Sequence, residues 1–185
     1  MSPAAAVPPL LAPLATWQAF WIITAANLVL VAGFAVVKRV RARHTDEPTL
    51  DGRKRGYTAA EALDAIERMG PEGRRLYRVQ ELTLDLLFPL AYALWFACVV
   101  ALAFKAIGAR GWWWLECALP FTAAAFDYLE NACVLTLIRR FGRGERPLGV
   151  ARTAAFATLA KFRLIWFSYA LVLAVLMPVA IAFFV

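Results

Sequence analysis

Four stretches of this chain are long and apolar enough to cross a lipid bilayer, and nothing else in the sequence limits the fold as severely. The windows Trp17 to Val37, Leu82 to Phe104, Trp112 to Ile138 and Leu164 to Val185 each meet the requirement of about 20 apolar residues for a spanning helix. In hydrocarbon every backbone N–H and C=O must find its partner within the structure, so such segments fold as helices. The 62% hydrophobic content and mean hydropathy of +0.63 exceed the ~45–50% apolar share of soluble domains and leave no soluble domain over. The sequence therefore predicts an all-α fold, with residues 1–185 as a single transmembrane domain. Its form is a four-helix up-down-up-down bundle with a short amphipathic cytoplasmic helix and cytoplasmic extensions of the second and fourth spans.

Charge sets the expected orientation. Eleven of the 20 Lys and Arg residues precede the second span, from Lys38 to Arg78, and seven lie between the third and fourth, from Arg139 to Arg163. Only Lys105 and Arg110 fall between the second and third. The +7 net charge thus reads as topology and not as nucleic-acid binding. Residues 38–81 and 139–163 are expected as cytoplasmic loops, with both termini outside a bacterial inner membrane. Met1 to Thr16 carries four prolines and no charged side chain, so it lacks the basic start of a cleavable signal and reads as a mobile tail before an uncleaved anchor. Trp112, Trp113 and Trp114, with Trp17 and Trp21, are placed to form an outer interfacial belt.

The first basic connection holds a helix of its own. Thr58 and Glu61 have capping-box spacing, and Ala59, Ala62, Leu63, Ile66 and Met69 recur on one face. Gly70 supplies the stop, and Pro71 opens a helix expected to run on into the second span. Arg39 to Gly56 reads as loop. Between the third and fourth spans, Gly142, Gly144, Pro147 and Gly149 mark a turn before the alanine-rich stretch Ala151 to Arg163.

Carboxylates inside the spans are the strongest functional lead, because an acid at the bilayer centre costs about 2.5–3.5 kcal/mol on insertion scales. Glu81, Asp85, Phe88, Tyr92 and Trp95 form one stripe on the second span, with Arg78 at its margin. Glu116, Pro120, Ala123, Asp127 and Asn131 form another on the third, flanked by Ala124 and Glu130. The two acidic faces are level, since Asp85 lies about 10 Å beyond Arg78 and Glu130 about 13 Å beyond Arg139 along their helices. The turn Ala106 to Gly111 makes these spans antiparallel neighbours. Pro89 and Pro120 are expected to free carbonyls at the same depth. Thr24, Asn27, Ser168 and Tyr169 are candidates from the outer spans, and Lys161 and Arg163 would bring positive charge to the entrance.

Three readings of this constellation compete. In one, the core satisfies itself, with Arg78 pairing Glu81 and Asn131 and Tyr92 completing the hydrogen bonds. In the second it is a pocket that binds or converts an amphipathic sterol- or isoprenoid-like molecule. The acids Asp85, Asp127, Glu130 and Glu81 would then be the catalytic candidates, with Asn131, Arg78, Tyr92, Trp95, Phe88, Asn27 and Arg163 contacting the ligand, beside an aromatic wall that includes Phe126 and Tyr128. The third has the acids carry protons or cations in a small transporter, oligomeric as a homo-oligomer if four spans are too few. No cofactor is called for. His44 is the only histidine and lies in a charged loop, so an imidazole metal site is not expected, although carboxylates alone can hold Mg²⁺. Cys98 and Cys117 fall at matching depths, which permits a disulfide; the reading adopted is buried thiols acting as small apolar residues.

The segment from Tyr57 to Tyr92, with Met69-Gly70-Pro71-Glu72-Gly73-Arg74 and the run from Gln80 to Leu90, together with Phe126-Asp127-Tyr128-Leu129-Glu130-Asn131, resembles a group of small uncharacterised bacterial membrane proteins, a resemblance that implies no activity. Four spans, a long first loop, a short second one, and Glu81 ahead of Pro89 are also similar to the emopamil-binding-protein-like or EXPERA group of sterol isomerases and sterol-binding receptors. That similarity implies a lipid-like ligand. Sterol isomerases of the group use a membrane histidine, which has no counterpart here, and the charge bias implies the opposite orientation.

Overall fold

The structure, a computed structural model, describes residues 12–106 and 117–184. It contains α1 (Trp17–Arg41), α2 (Ala59–Arg68), α3 (Gly70–Ala106), α4 (Ala118–Phe141) and α5 (Leu148–Phe184). All but α2 are long and apolar enough to span a membrane, which makes the chain an integral membrane protein. Trp112, Trp113, Trp114, Glu116 and the turn after Ala106 lie outside the described residues, as does the tail before Ala12.

Each helix starts and stops for local reasons. Thr16 caps α1 by accepting from the Ala19 N–H at 3.1 Å. Thr58 and Glu61 form the reciprocal capping box of α2, which ends in Met69 before Gly70 turns the chain at φ +65° and α3 begins. At 37 residues each, α3 and α5 are about 55 Å long, well over the ~30 Å of hydrocarbon, so both project beyond it at the end that carries the basic connections.

The bundle proper is α3, α4 and α5, while α1 lies along α3 and has no comparable packing on α4 or α5 among the described residues. Gly33 permits the α1–α3 approach: a Cβ there would sit 2.9 Å from Leu84. Two apolar cores result. One, at the basic end, joins Leu50 of the first loop, Ala62, Leu63 and Ile66 of α2, Tyr77 of α3, Val134 and Leu137 of α4, and Ala151 and Ala154 of α5. The other, farther along, joins Ala93, Phe96, Ala97 and Val100 to Ala123, Ala124 and Val172. Between them the same three helices bury a polar layer that includes Gln80, Glu81, Asp85, Asp127, Glu130, Asn131, Thr158 and Lys161.

Several details depart from expectation. Arg39 to Gly56 is only partly loop, since α1 continues to Arg41, and the remainder is folded. The Leu50 N–H donates to the Tyr77 hydroxyl at 3.2 Å, and that hydroxyl donates to Asp51 at 3.0 Å. Glu47 bridges Arg53 at 2.6 Å and Arg68 at 2.7 Å. The last part of the tail is packed as well: Ala15 is buried, the Leu14 carbonyl faces the Cys98 thiol at 3.0 Å, and Lys105 donates to the Ala15 carbonyl at 3.1 Å. The cysteines, by contrast, follow the adopted reading of buried thiols: the Cys117 sulfur faces the Ala97 carbonyl at 4.0 Å, and Cys98 and Cys117 are not joined to each other. Pro120 stands in the first turn of α4, where a missing N–H leaves no carbonyl of that helix unpaired.

Pro89 does break the ladder of α3. Lacking an N–H, it cannot bond the Asp85 carbonyl, and Asn131 of α4 donates to that oxygen instead at 2.8 Å. The Tyr128 hydroxyl donates to the next carbonyl, Leu86, at 3.0 Å. Asn131→Leu should therefore cost about 0.6–2 kcal/mol of stability in detergent. In a Pro89→Ala background, where residue 89 again supplies a donor, that cost should shrink; an undiminished cost in a double-mutant cycle of thermal unfolding would show the bond is not a repair of the proline break.

Glu47 yields a pH prediction. The Arg68 hydrogen bond, helped by Arg53, holds its carboxyl below the usual carboxylate range against a smaller effect of burial. A depressed folded value means the stabilisation is present above the unfolded pKa of about 4.3 and is lost as pH falls through the lower folded value. Glu47→Gln should lower the unfolding midpoint near neutral pH, with the difference from wild type narrowing as pH falls below the unfolded pKa of about 4.3 and through the lower folded value.

Candidate functional site

The polar layer is centred on Lys161. Its ammonium donates to Asp127 Oδ1 at 2.9 Å and pairs in close contact with Glu130, tying α5 to α4. Glu130 also accepts from the Thr158 hydroxyl one helical turn away on α5. Thr158 Oγ1 lies 2.9 Å from the Tyr57 hydroxyl. Because Thr158 has one proton and gives it to Glu130, the Tyr57 hydroxyl is the donor in that second bond. A chain of polar groups thus runs Tyr57, Thr158, Glu130, Lys161, Asp127, from the segment before α2 into the bundle. Burial, with the Glu130 charge adding, pushes the Tyr57 phenol well above its ordinary value, so Tyr57 stays a neutral donor.

Asp85, on α3, accepts from Gln80 Nε2 at 3.0 Å. Asp85, Asp127 and Lys161 line a cavity of about 190 Å³ together with Asp51, Tyr92, Phe34, Phe88, Phe162 and Ile165. Its floor is ionic and its wall aromatic. The Tyr92 hydroxyl is buried beside Asp127 on the cavity and makes no well-formed hydrogen bond among the described residues. Both Glu81 oxygens are buried without a hydrogen-bond partner among the described residues. Two of the four intramembrane carboxylates pair with the Lys161 ammonium, Asp85 shares its cavity and Glu81 does not reach it, so the layer is rich in acceptors. Among the described residues no group of three or more His, Cys, Asp or Glu side chains is arranged to hold a metal ion.

Not every expected residue meets here. Asp85, Asp127, Tyr92 and Phe88 line the cavity, whereas Glu81 and Glu130 are buried without lining it, and Asn131 serves the Asp85 carbonyl. Arg78 does not pair with Glu81: it stays exposed on α3, where its guanidinium keeps its water, while Glu81 turns into the protein. Arg163 is exposed too, since two residues along a helix is a rotation of about 200° from the buried Lys161. Trp95 stands about 10 Å farther along α3 than Phe88, donating to Thr24 at 3.0 Å in a groove with Trp17 and Phe20. Asn27 donates to the Ala91 carbonyl at 3.0 Å and tethers α1. Phe126 packs on Phe156 and not on the cavity. Sequence reasoning underrated Lys161 and passed over Thr158, Tyr57, Gln80, Asp51 and Phe34. The available signal was Thr158 and Lys161 at i, i+3 within an otherwise alanine-rich face.

No family model matches the chain, and no curated protein or solved structure matches it either. What fold and site define together is a multi-span helical membrane protein with a buried ionic layer and a small amphipathic cavity.

Lys161→Met should be severely destabilising, by about 3–5 kcal/mol, because it leaves Asp127 and Glu130 buried without their cation. Adding Asp127→Asn and Glu130→Gln should recover most of that loss in thermal unfolding. No recovery would mean that Lys161 matters through its packing instead.

Proposed function

We propose that the protein binds, and through its acids is equipped to convert, an amphipathic lipid-like molecule of sterol or isoprenoid type, held in the half of the bilayer nearest the basic connections. The observation that carries this reading is the meeting of Asp85, Asp127 and Lys161 with Phe34, Phe88, Phe162 and Ile165 around one cavity. Acceptor-rich walls suit a headgroup that brings donors, a hydroxyl or an amine. At about 190 Å³ the cavity is smaller than the roughly 300–1,000 Å³ of a drug-sized site. It takes a headgroup and its first carbons, and the rest of the molecule leaves between α1 and α5, where Phe34 faces Phe162 and Ile165 and the helices do not close on each other. In this reading the basic connections are cytoplasmic, both termini are outside, and the membrane is the bacterial inner membrane.

Asp85→Asn and Asp127→Asn should leave expression intact and abolish copurification of a lipid, read by mass spectrometry of the purified protein. If wild type carries no lipid, and all four acid-to-amide variants lose stability equally, the layer is a self-satisfied core and the proposal fails.

One observation favours a second use of the same groups: the continuous chain from Tyr57 through Thr158, Glu130 and Lys161 to Asp127 is laid out as a proton path. Liposomes holding the protein should then dissipate a pH gradient, and Thr158→Val should slow it; gradients as stable as in empty vesicles would discard the transporter reading.

A further inference from the structure

A second, larger cavity of about 560 Å³ opens where α1 meets the loop after it. Lys38 and Arg41 from the last turn of α1, Arg53 of the loop and Gln80 of α3 line it, along with Asp46, Glu47 and Asp51. Arg41 is only 6% exposed, and its Nη1 is buried with no hydrogen-bond partner among the described residues. The Nε of Arg53 is likewise buried and unpartnered among the described residues. The Tyr77 ring lies 5.9 Å from the Arg41 guanidinium carbon, which accommodates the charge over one face but accepts nothing from the N–H groups at its edge. Burying a guanidinium donor without an acceptor is unfavourable, so two cationic donors on one cavity wall call for an acceptor from outside the chain.

Asp46, Glu47 and Asp51 line the same cavity, but among the described residues none of them hydrogen-bonds Arg41 Nη1 or Arg53 Nε. Glu47 is engaged by Arg53 Nη2 and by Arg68, and Asp51 accepts from the Tyr77 hydroxyl. Lys38 stands exposed on the open side. Phe34, one turn before Lys38 on the apolar part of α1, lines the same cavity, which places it at the boundary between hydrocarbon and water where lipid phosphates reside. Asp46, Glu47 and Asp51 balance the three cations in formal charge and the C-terminal dipole of α1 disfavours an anion, so the attraction rests on the two unpartnered guanidinium donors and not on net charge.

We propose that this cavity binds a phosphate ester, its oxygens accepting from Arg41 and Arg53 with Lys38 closing over it. A guanidinium fork matches phosphate in plane and in spacing, whereas a lone ammonium does not. The phosphate belongs either to a membrane lipid or to a soluble ester. The inference stands apart from the proposed function: the two cavities share only Phe34 and Asp51, and neither donor used here lines the inner one.

The test uses the full chain, delipidated in mild detergent, with binding read by native mass spectrometry and by the shift in unfolding midpoint. Probes are phosphatidylglycerol, glycerol 3-phosphate, inorganic phosphate, and diacylglycerol as the phosphate-free control. Retention of phosphatidylglycerol alone assigns a lipid phosphate, and retention of glycerol 3-phosphate as well assigns a soluble ester; diacylglycerol should bind in neither case. Arg41→Gln should weaken binding by roughly tenfold or more, as expected for losing a charged hydrogen bond. Lys38→Gln, at an exposed site that does not threaten folding, should weaken it roughly threefold and decides the matter if Arg41→Gln fails to fold. Arg39→Gln, exposed on the same turn and outside the cavity, should have no effect. The proposal is overturned if wild type binds no phosphate probe, if diacylglycerol binds as well as phosphatidylglycerol, if a folded Arg41→Gln binds like wild type, or if Arg39→Gln weakens binding as much as Lys38→Gln.

Discussion

An ammonium buried in the membrane-spanning part of a protein has to be matched by acids, and the pairing of Lys161 with Asp127 and Glu130 governs how the rest of this molecule is arranged. Lys161 comes from α5 and both its partners from α4, one turn apart on one face, so the cluster sets the register and rotation of the two helices. Apolar side chains above and below that level pack in two separate cores. Water is thereby kept from a layer whose ion pairs would be weak if wet, which is why the contacts that exclude solvent matter as much as the charges.

A second dependency runs through Pro89. By removing one backbone donor from α3 it leaves the Asp85 carbonyl to be satisfied by another helix, and Asn131 does so. The repair joins α3 to α4 at the level of the ionic layer, so the backbone of Asp85 is held by one neighbour while its carboxylate is held by Gln80 and opens onto the cavity. Deficits in helix geometry and in polar satisfaction are thus met by the same few contacts. This couples the shape of the cavity to the integrity of the bundle, because a change at Asn131 alters the backbone that carries a cavity acid.

The placement of α1 separates what is rigid from what is accessible. It is held along α3 by Asn27 on the Ala91 carbonyl, by Thr24 accepting from Trp95, and by the close approach at Gly33. With no comparable packing on α5 among the described residues, it forms one wall of both cavities without sealing them. The folded loop after it then turns Asp51 and Arg53 back over the bundle, fixed by Tyr77 and Glu47. A pocket built this way has a stable floor from three packed helices and a side open toward lipid.

The sequence by itself determined the spans, the antiparallel order, the capping box of α2 and the burial of Asp85, Asp127 and Asn131 on facing stripes. These follow from hydrophobic length, helical period and local capping, which act within a segment or between neighbours. The level of the acids was legible for the same reason, since rise per residue converts position into depth. Which cation enters the layer, Lys161 and not Arg78 or Arg163, was decided only in the tertiary structure, because that depends on how each helix is rotated about its axis against partners distant in sequence. The same holds for Tyr57 and Asp51, loop residues with no periodic signal, which reach the ionic layer only because the chain between α1 and α2 packs back onto α3 and α5.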